Sequence, residues 1–287
     1  MSDDPLKGKT ALILGFARQG QALARWLPNI GAKVIVSDKR NLGELADAML
    51  DFLHSPVSFA LGGHPLELLD EADVLFLSGG VDPNITICRE AVERSIPLTN
   101  DAQAFLERCA APVIGITGSA GKTTTTTLVG RMAQAAGMKT WVGGNIGDPL
   151  VDDLDQIDDG DTVVMELSSF QLELMTRSPQ VACVLNVTPD HLDRHGSMQA
   201  YMDAKAQIFL HQNPEDIAIF GMDDPGSSAL AAQAPGRVGY FSMRQMVTDG
   251  AFLAGQRLMV VGECSPDRAP HTVCTRDDSA ARRSQRQ

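Results

Sequence analysis

Residues 112–123 combine residue types and spacing that are typical of a phosphate-binding site. A short apolar run leads into a glycine-rich turn that ends in Gly121, Lys122 and Thr123. Glycines let backbone N–H groups approach an anion closely, and the start of the following helix adds partial positive charge. Lys122 can reach terminal phosphates, and the Thr123 hydroxyl can bind Mg²⁺. The segment therefore predicts a phosphate loop, although Ile116 occupies a position where the strict motif has glycine.

The elements on either side of this turn favour a phosphate loop over an ordinary turn with a surface lysine. Apolar residues precede the turn as in a buried strand. Leu128, Val129 and Met132 follow it at helical spacing, and Gly137 ends the helical pattern. Because strand, glycine turn and helix occur in this order, the turn is placed where a phosphate cradle needs it.

A second glycine pattern, at residues 15–20, follows the first apolar strand of the sequence. It is a weakened dinucleotide-binding motif, because Ala17 replaces the glycine that permits close approach of a pyrophosphate. Asp38 ends the next predicted strand and is well placed for a ribose or a base. The pattern favours nucleotide binding of some kind over an intact NAD site, and a tight turn without a ligand is the alternative.

Polar residues also end the strands that follow the phosphate loop. Glu166 ends a predicted buried strand, and His191 follows the next one. Ligands bind at the carboxyl ends of strands in open α/β sheets. A carboxylate at Glu166 can hold Mg²⁺ opposite Thr123, and His191 can bind metal or phosphate. Lys205, taken alone, reads as a surface lysine on the following helix.

Composition limits the classes of function and compartment. The 287 residues carry a net charge of −12, which disfavours binding to nucleic acid or to an anionic membrane. The five cysteines are scattered and form no C-x-x-C pair, so we expect reduced thiols in a cytosolic protein. The N-terminus lacks the apolar segment of a signal peptide, and no apolar run is long enough to span a membrane.

The alternation of strands and helices predicts an α/β protein with two domains. We expect a Rossmann-like domain over residues 1–104 and a central P-loop-type domain over residues 105–264. From Ser265 the sequence is rich in arginine and poor in large apolar residues, so residues 265–287 are predicted to be disordered or to form a tail unrelated to the preceding sequence. A solvated tail is favoured there over a functional contact.

Four spaced blocks together resemble the Mur ligases, the ATP-dependent amide-forming enzymes of peptidoglycan synthesis. The blocks cover residues 115–124, 143–147, 166–173 and 185–194. The resemblance extends over about residues 8 to 260 and implies an N-terminal UDP-binding domain followed by an ATPase domain. We find no counterpart of the family's third α/β domain, which brings the incoming amino acid. The resemblance therefore predicts a C-terminally truncated chain whose central domain is incomplete.

The block at 166–173 is similar to the branch of the family that adds D-glutamate to UDP-N-acetylmuramoyl-L-alanine. The resemblance implies that ATP, with Mg²⁺, phosphorylates the substrate carboxylate and that the amine of D-glutamate attacks the acyl phosphate. We expect a cytoplasmic monomer. One alternative is a fragment that binds the UDP-sugar and ATP without turnover. Another is a small-molecule kinase, which the same block disfavours.

The resemblance also implies a role for each matching residue. ATP would contact the loop residues Gly118, Ser119, Ala120, Gly121, Lys122, Thr123 and Thr124. Mg²⁺ would bind Thr123, Glu166, His191 and a carbamylated Lys205. The catalytic residues would be Lys122, His191 and Lys205. The uridine end of the substrate would contact Gly15, Gln19, Ser37, Asp38 and Lys39, and its muramoyl-alanine part would contact Asn145 and Ser168. Ala120 stands where the family often has asparagine, which predicts altered hydrogen bonding in the loop.

Overall fold

A computed structural model describes residues 4–265 and 267–275, which fold around two β-sheets. The five strands of the first sheet are parallel and lie in the order β3-β2-β1-β4-β5. Their bounds are β1 Thr10–Leu14, β2 Lys33–Asp38, β3 Val57–Leu61, β4 Val74–Leu77 and β5 Leu98–Thr99. The buried apolar side chains of β1 and β4 form the centre of this sheet, as is typical of parallel strands covered on both faces.

Helices connect the strands of the first sheet. They are α1 Arg18–Asn29, α2 Leu42–Met49, α3 Thr86–Glu93 and α4 Asp101–Arg108, with 3₁₀ turns at Leu50–Phe52 and Leu66–Asp70. The start of α2 is fixed by a capping box, in which the Asn41 and Glu44 side chains bond each other's backbone N–H. The Phe16, Phe52 and Phe59 rings pack edge to face under one side of the sheet.

The second sheet has nine strands in the order β14-β13-β12-β11-β10-β9-β6-β8-β7. The strands from β6 to β12 pair in parallel, and β12, β13 and β14 pair antiparallel. Their bounds are β6 Val113–Thr117, β7 Thr140–Gly144, β8 Thr162–Glu166, β9 Val181–Val184, β10 Ile217–Gly221, β11 Arg237–Ser242, β12 Gly250–Ala254, β13 Arg257–Val261 and β14 His271–Thr275.

The helices around the second sheet place the candidate site at the carboxyl ends of its strands. They are α5 Lys122–Ala135, α6 Ser169–Leu172, α7 Leu192–His195, α8 Met198–Leu210 and α9 Pro225–Leu230, with 3₁₀ turns at Leu150–Gln156, Ala231–Gln233 and Gly262–Cys264. Tyr201, Phe209 and Phe220 are among the largest buried side chains of this part. None of the helices in the described part of the chain is both long and apolar enough to cross a membrane.

Side chains connect the two sheets directly. The Arg25 guanidinium on α1 lies 2.6 Å from the Asp152 carboxylate in the 3₁₀ turn before β8. The buried Asn100 amide donates to the Gln171 carbonyl on α6 at 2.7 Å. The predicted boundary after residue 104 lies inside α4, which leads from the first sheet to the second.

The predicted α/β class is confirmed, but the prediction for the C-terminal segment is wrong in part. His271–Thr275 forms β14, which pairs with β13. A strand needs only half of its side chains to pack, and its backbone is satisfied by the neighbouring strand, so a segment poor in apolar residues can still join an edge. Within the predicted tail, residues 266 and 276–287 lie outside the described residues.

Candidate functional site

The predicted phosphate loop connects β6 to α5 at the centre of the second sheet. Gly121 caps α5 in a left-handed conformation with φ of +84°, which favours glycine. The first N–H groups of α5 have no partner within the helix and are aimed at the loop. The Lys122 ammonium donates to the Gly118 carbonyl at 2.8 Å and to the Ser119 carbonyl at 3.3 Å. The phosphate loop thus brings the N–H groups at the start of α5 close to the Lys122 ammonium.

Asn186, which follows β9, holds the loop in place. Its side-chain oxygen accepts from the Ala120 N–H at 2.9 Å, and its amide donates to the Ala120 carbonyl at 3.0 Å. The carbonyl of Asn186 accepts from the Ser119 N–H at 3.0 Å. These bonds use the backbone groups of Ser119 and Ala120, so they do not depend on the side chain at position 120. Sequence reasoning missed this role, although Asn186 lies in one of the four blocks.

The Ser119 hydroxyl joins the loop to α8 and to the segment after β9. It donates to the Thr188 carbonyl at 2.9 Å, accepts from the Thr188 N–H at 3.0 Å and lies 3.0 Å from the Tyr201 hydroxyl. Tyr201 is almost fully buried, which fixes the position of its hydroxyl. Nothing in the spacing of the sequence indicated Tyr201, because a tyrosine at helical spacing is ordinarily a core residue.

Thr123 and Glu166 meet as predicted. The Thr123 hydroxyl donates to Glu166 Oε2 at 2.8 Å, and the Asn145 amide donates to Glu166 Oε1 at 2.9 Å. Glu166 is 1% exposed, at the end of β8 next to the loop. A hydroxyl and a carboxylate beside a phosphate loop are oxygen ligands of the kind Mg²⁺ uses together with substrate phosphates. The donor set therefore fits Mg²⁺.

Lys205 is buried beneath the phosphate loop, so the interpretation of it as a surface lysine is wrong. The residue lies on α8 and is 1% exposed, and its ammonium reaches the Thr117 hydroxyl at 3.4 Å. The ammonium also lies 4.6 Å from the centre of the Tyr201 ring. Burial and the nearby Lys122 charge lower the pKa of Lys205 from 10.5 to about 7, against the opposing effect of Asp190. The ammonium is therefore readily deprotonated.

His191 lies at the rim of the same site. It precedes α7 in a left-handed conformation with φ of 50°, and its ring nitrogen lies 3.6 Å from the Asp190 carboxylate. The imidazole is half exposed and lies 5.2 Å from the Phe170 ring. Among the described residues, no three His, Cys, Asp or Glu side chains are grouped closely enough to hold a metal by themselves. A metal shared by His191 and Lys205 stays a prediction.

His195 packs against the aromatic ring of Phe170. Its ring stacks on Phe170 at 5.3 Å with an interplanar angle of 6°, and Nε2 lies 3.0 Å from the Ser169 hydroxyl. Burial and nearby positive charges lower its pKa.

The two residues predicted to contact the muramoyl-alanine part, Asn145 and Ser168, make local hydrogen bonds. Asn145 donates to Glu166, and Ser168 caps α6 through a capping box with Gln171.

A cleft of about 370 Å³ lies at the carboxyl ends of β1, β2 and β4 in the first sheet. The strand order reverses there, which is where open α/β sheets bind ligands. Three of the five predicted uridine-site residues line it, namely Gly15, Asp38 and Lys39. The other lining residues are Ala17, Arg40, His64, Ser78, Gly80, Val81, Asp82 and Ile85.

The other two predicted residues support the cleft from behind. The Ser37 hydroxyl donates to the Gly63 carbonyl at 2.9 Å and lies 2.8 Å from His64 Nδ1, so it orients a residue that lines the cleft. The Gln19 side-chain oxygen accepts from the Gly79 N–H at 2.8 Å and fixes the turn after β4.

Asp38 organises the floor of the cleft. Its carboxylate accepts from the Phe16 N–H at 2.7 Å and from the Arg40 N–H at 2.9 Å, and it pairs with the Arg40 guanidinium at 2.7 Å. Burial alone would raise the pKa of Asp38, but the bonds from Arg40 and the two backbone N–H groups outweigh it and lower the pKa to about 2. The sequence placed Asp38 correctly but gave no reason to expect Arg40.

We expect the Asp38 carboxylate to make folding stability depend on acid pH. Its folded pKa of about 2 is below the ordinary value of 3.8, so its contribution to stability is fully present above pH 4 and is lost as pH falls through 2. The shift corresponds to about 2 kcal/mol. Thermal unfolding of wild type and Asp38→Asn between pH 7 and pH 2 checks this. The stability difference should shrink steadily below pH 4, and a constant difference would contradict it.

The chain is similar to known proteins over most of its length. Residues 116–253 match the family described as Mur ligase middle domain. The UDP-N-acetylmuramoylalanine–D-glutamate ligase of Pelotomaculum thermopropionicum is 38% identical over 271 residues, which are 94% of this chain and 59% of that protein. The protein of the same name from Geotalea daltonii is 43% identical over 251 residues, covering 86% of this chain and 55% of the relative. The chain thus spans little more than half the length of these relatives.

Solved structures show the same fold at low identity. A UDP-N-acetylmuramate:L-alanyl-γ-D-glutamyl-meso-diaminopimelate ligase from Neisseria meningitides superposes with a TM-score of 0.56 at 17% identity and covers 88% of this chain and 84% of its own. The UDP-N-acetylmuramate–alanine ligase of Thermotoga maritima gives a TM-score of 0.51 at 19% identity, covering 88% and 57%. With a matching middle domain, related sequences over most of its length and this fold, the chain belongs to the Mur ligase family.

Proposed function

We propose that the whole protein is an ATP-dependent ligase that joins D-glutamate to UDP-N-acetylmuramoyl-L-alanine. For the residues in hand we propose binding of two ligands, a Mg²⁺-nucleotide at the phosphate loop and the UDP end of the substrate in the cleft. The observation that carries the proposal is the hydrogen bond from Thr123 of the phosphate loop to Glu166 at the end of β8, next to Lys122 on the same loop. The names of the related proteins supply the identity of the substrates.

The phosphate loop has the parts that phosphoryl transfer needs. Such transfer depends on positioning and on neutralising charge more than on a protein nucleophile. The Lys122 ammonium and the N–H groups at the start of α5 would neutralise the nucleotide phosphates. Thr123 and Glu166 would hold Mg²⁺, which would offset the negative charge of the nucleotide phosphates. ATP would phosphorylate the substrate carboxylate, and the amine of D-glutamate would displace phosphate from the acyl phosphate.

Lys205 and His191 extend this site toward the substrate carboxylate. A lysine with a pKa of about 7 is largely neutral in slightly alkaline solution, and only the neutral amine adds CO₂ to form a carbamate. The carbamate would replace a cation by an anion beneath the loop, which relieves repulsion with Lys122. With His191, it would provide ligands for a second Mg²⁺.

The cleft of the first sheet suits a nucleoside diphosphate. Gly15 has a φ of +87° and leaves room for close approach of a ligand to the backbone. Lys39 and Arg40 bring positive charge to the cleft walls. Because the Asp38 carboxylate is held by Arg40 and two N–H groups, we propose that it shapes the floor and that a ribose or base approaches its rim.

Isothermal titration of the full chain tests both binding sites separately. ADP with Mg²⁺ and UDP-N-acetylmuramoyl-L-alanine should each bind at one site, and EDTA should weaken ADP binding alone. UDP-N-acetylmuramic acid, which lacks the alanine, serves as the matched ligand and should bind less tightly. Absence of heat with both ligands, for protein whose circular dichroism shows a folded α/β chain, would contradict the proposal.

A further inference from the structure

Arg194 connects the second sheet to the wall of the cleft in the first. From α7 its Nη2 donates to the Val81 carbonyl at 2.7 Å, and its Nε lies 3.8 Å from the Asp82 carboxylate. Val81 and Asp82 both line the cleft. The guanidinium also lies 4.5 Å from the centre of the Phe170 ring, which His191 contacts from another side. One side chain therefore touches the cleft wall and the packing around His191.

Arg18 makes a second connection in the opposite direction. It begins α1, directly after Ala17, which lines the cleft. Its Nη2 donates to the Asn145 carbonyl at 2.9 Å. The Asn145 amide bonds Glu166, and Glu166 accepts from Thr123 of the phosphate loop. A series of hydrogen bonds through Arg18, Asn145 and Glu166 thus leads from the cleft to the phosphate loop.

The connection made by Arg18 is exposed enough to open and close, and the one made by Arg194 is partly exposed. Arg18 is exposed, and the Arg194 side chain retains 21% of its accessible surface. Hydrogen bonds with few buried apolar contacts around them break at low free-energy cost. A ligand that holds the turn at Val81 and Asp82, or the loop at Ala17, would favour the closed form of both connections.

We propose that Arg18 and Arg194 are positioning residues through which a ligand in the cleft strengthens nucleotide binding at the phosphate loop. The inference rests on the proposed function, because it needs both ligands to bind. Neither arginine has to touch a ligand, since each acts through the backbone it holds: Asn145 on one side and Val81 on the other. By thermodynamic reciprocity, nucleotide binding strengthens binding in the cleft by the same factor.

A purely structural role for these arginines makes a different prediction. If they only hold the sheets together, their loss lowers stability and weakens each ligand equally, whether or not the other is bound. If they couple the sites, their loss leaves each ligand's affinity for the free protein nearly unchanged and removes the enhancement. The ratio of the nucleotide's dissociation constants, measured without and with the cleft ligand, therefore separates the two roles.

The experiment measures the dissociation constant of ADP–Mg²⁺ by titration, with and without saturating UDP-N-acetylmuramoyl-L-alanine. We expect wild type to bind ADP roughly fivefold or more tightly in the presence of the second ligand. Arg194→Lys keeps the charge but loses the planar stacking on Phe170, and Arg18→Ala loses the bond to Asn145. Each should bring the ratio close to one, with ADP affinity in the absence of the second ligand changed less than twofold.

Arg25→Ala is the matched control. Arg25 also bridges the sheets, through its ion pair with Asp152 at 2.6 Å, but it does not line the cleft. This variant should keep the wild-type ratio. A wild-type ratio of one, an unchanged ratio in both arginine variants, or equal loss in Arg25→Ala would overturn the coupling while leaving the proposed function intact. Wild type that binds neither ligand would overturn the proposed function and the coupling together.

Discussion

Replacing Lys122 with methionine is expected to weaken binding of ADP–Mg²⁺ by roughly thirtyfold or more. The Lys122 ammonium folds over the loop and bonds the Gly118 and Ser119 carbonyls, so it is held where a terminal phosphate would lie. Removing one partner of a desolvated charge pair costs about 2 kcal/mol or more, and about 1.4 kcal/mol is tenfold in affinity. Methionine keeps the length of the side chain, so the loop backbone has no steric reason to change.

The control is Arg131→Met, which removes a positive charge from the exposed side of the same helix. It should change ADP affinity by less than about twofold, because exposed charges are screened by water and salt. The measurement is titration calorimetry at one salt concentration, with thermal unfolding to verify folding of both variants. Equal effects of the two substitutions would show that only net charge matters and would contradict a specific role for Lys122.

Replacing Lys205 with methionine is expected to stabilise the protein at pH 6. The lysine is almost fully buried, and among residues 4–265 and 267–275 the hydrogen bond of its ammonium goes to the Thr117 hydroxyl at 3.4 Å, so its charge is poorly compensated. Its folded pKa of about 7 lies far below the ordinary lysine value of 10.5. At about 1.36 kcal/mol for each pKa unit, the buried charge costs up to about 5 kcal/mol. Methionine has nearly the same shape and carries no charge.

The pH dependence of this effect has a definite sign. Between pH 7 and 10.5 the unfolded chain binds the proton of Lys205 and the folded chain does not, so wild type gains stability as pH rises. The advantage of Lys205→Met should therefore be largest below pH 7 and should disappear near pH 10.

Urea unfolding at pH 6 and pH 10 checks the effect, in buffer freed of CO₂ and Mg²⁺ so that no carbamate forms. Lys33→Met, at an exposed position, is the control and should be neutral at both values. A Lys205→Met variant less stable than wild type at pH 6 would show that the ammonium is well compensated.

Much of the site could be predicted because local sequence fixes it. The phosphate loop needs a strand, a left-handed glycine and the start of a helix, and each of these can be recognised from the residue types in the short stretch around Gly121. Glu166 and Asp38 could be placed because both end apolar strands, and parallel strands bring their carboxyl ends to one edge. The α/β class follows from the same alternation of strands and helices.

The remaining parts depend on contacts between distant residues. A lone lysine on a helix is most simply a surface residue, and only the fold shows that the Lys205 ammonium reaches Thr117 at the end of β6. Asn186 supports the loop from a different strand, and the sequence gives no distance between them. The strand at 271–275 was missed because its pairing with β13, not its composition, makes it a strand.

A crystal structure of the full chain grown with ADP and Mg²⁺ tests the central claim most directly. We expect the terminal phosphate to accept from the backbone N–H groups at residues 121–123 and from the Lys122 ammonium, with Mg²⁺ on the Thr123 hydroxyl beside Glu166. Phosphates ordered elsewhere, for example in the cleft at Gly15 with the loop between β6 and α5 empty, would contradict the assignment of this loop as the nucleotide site.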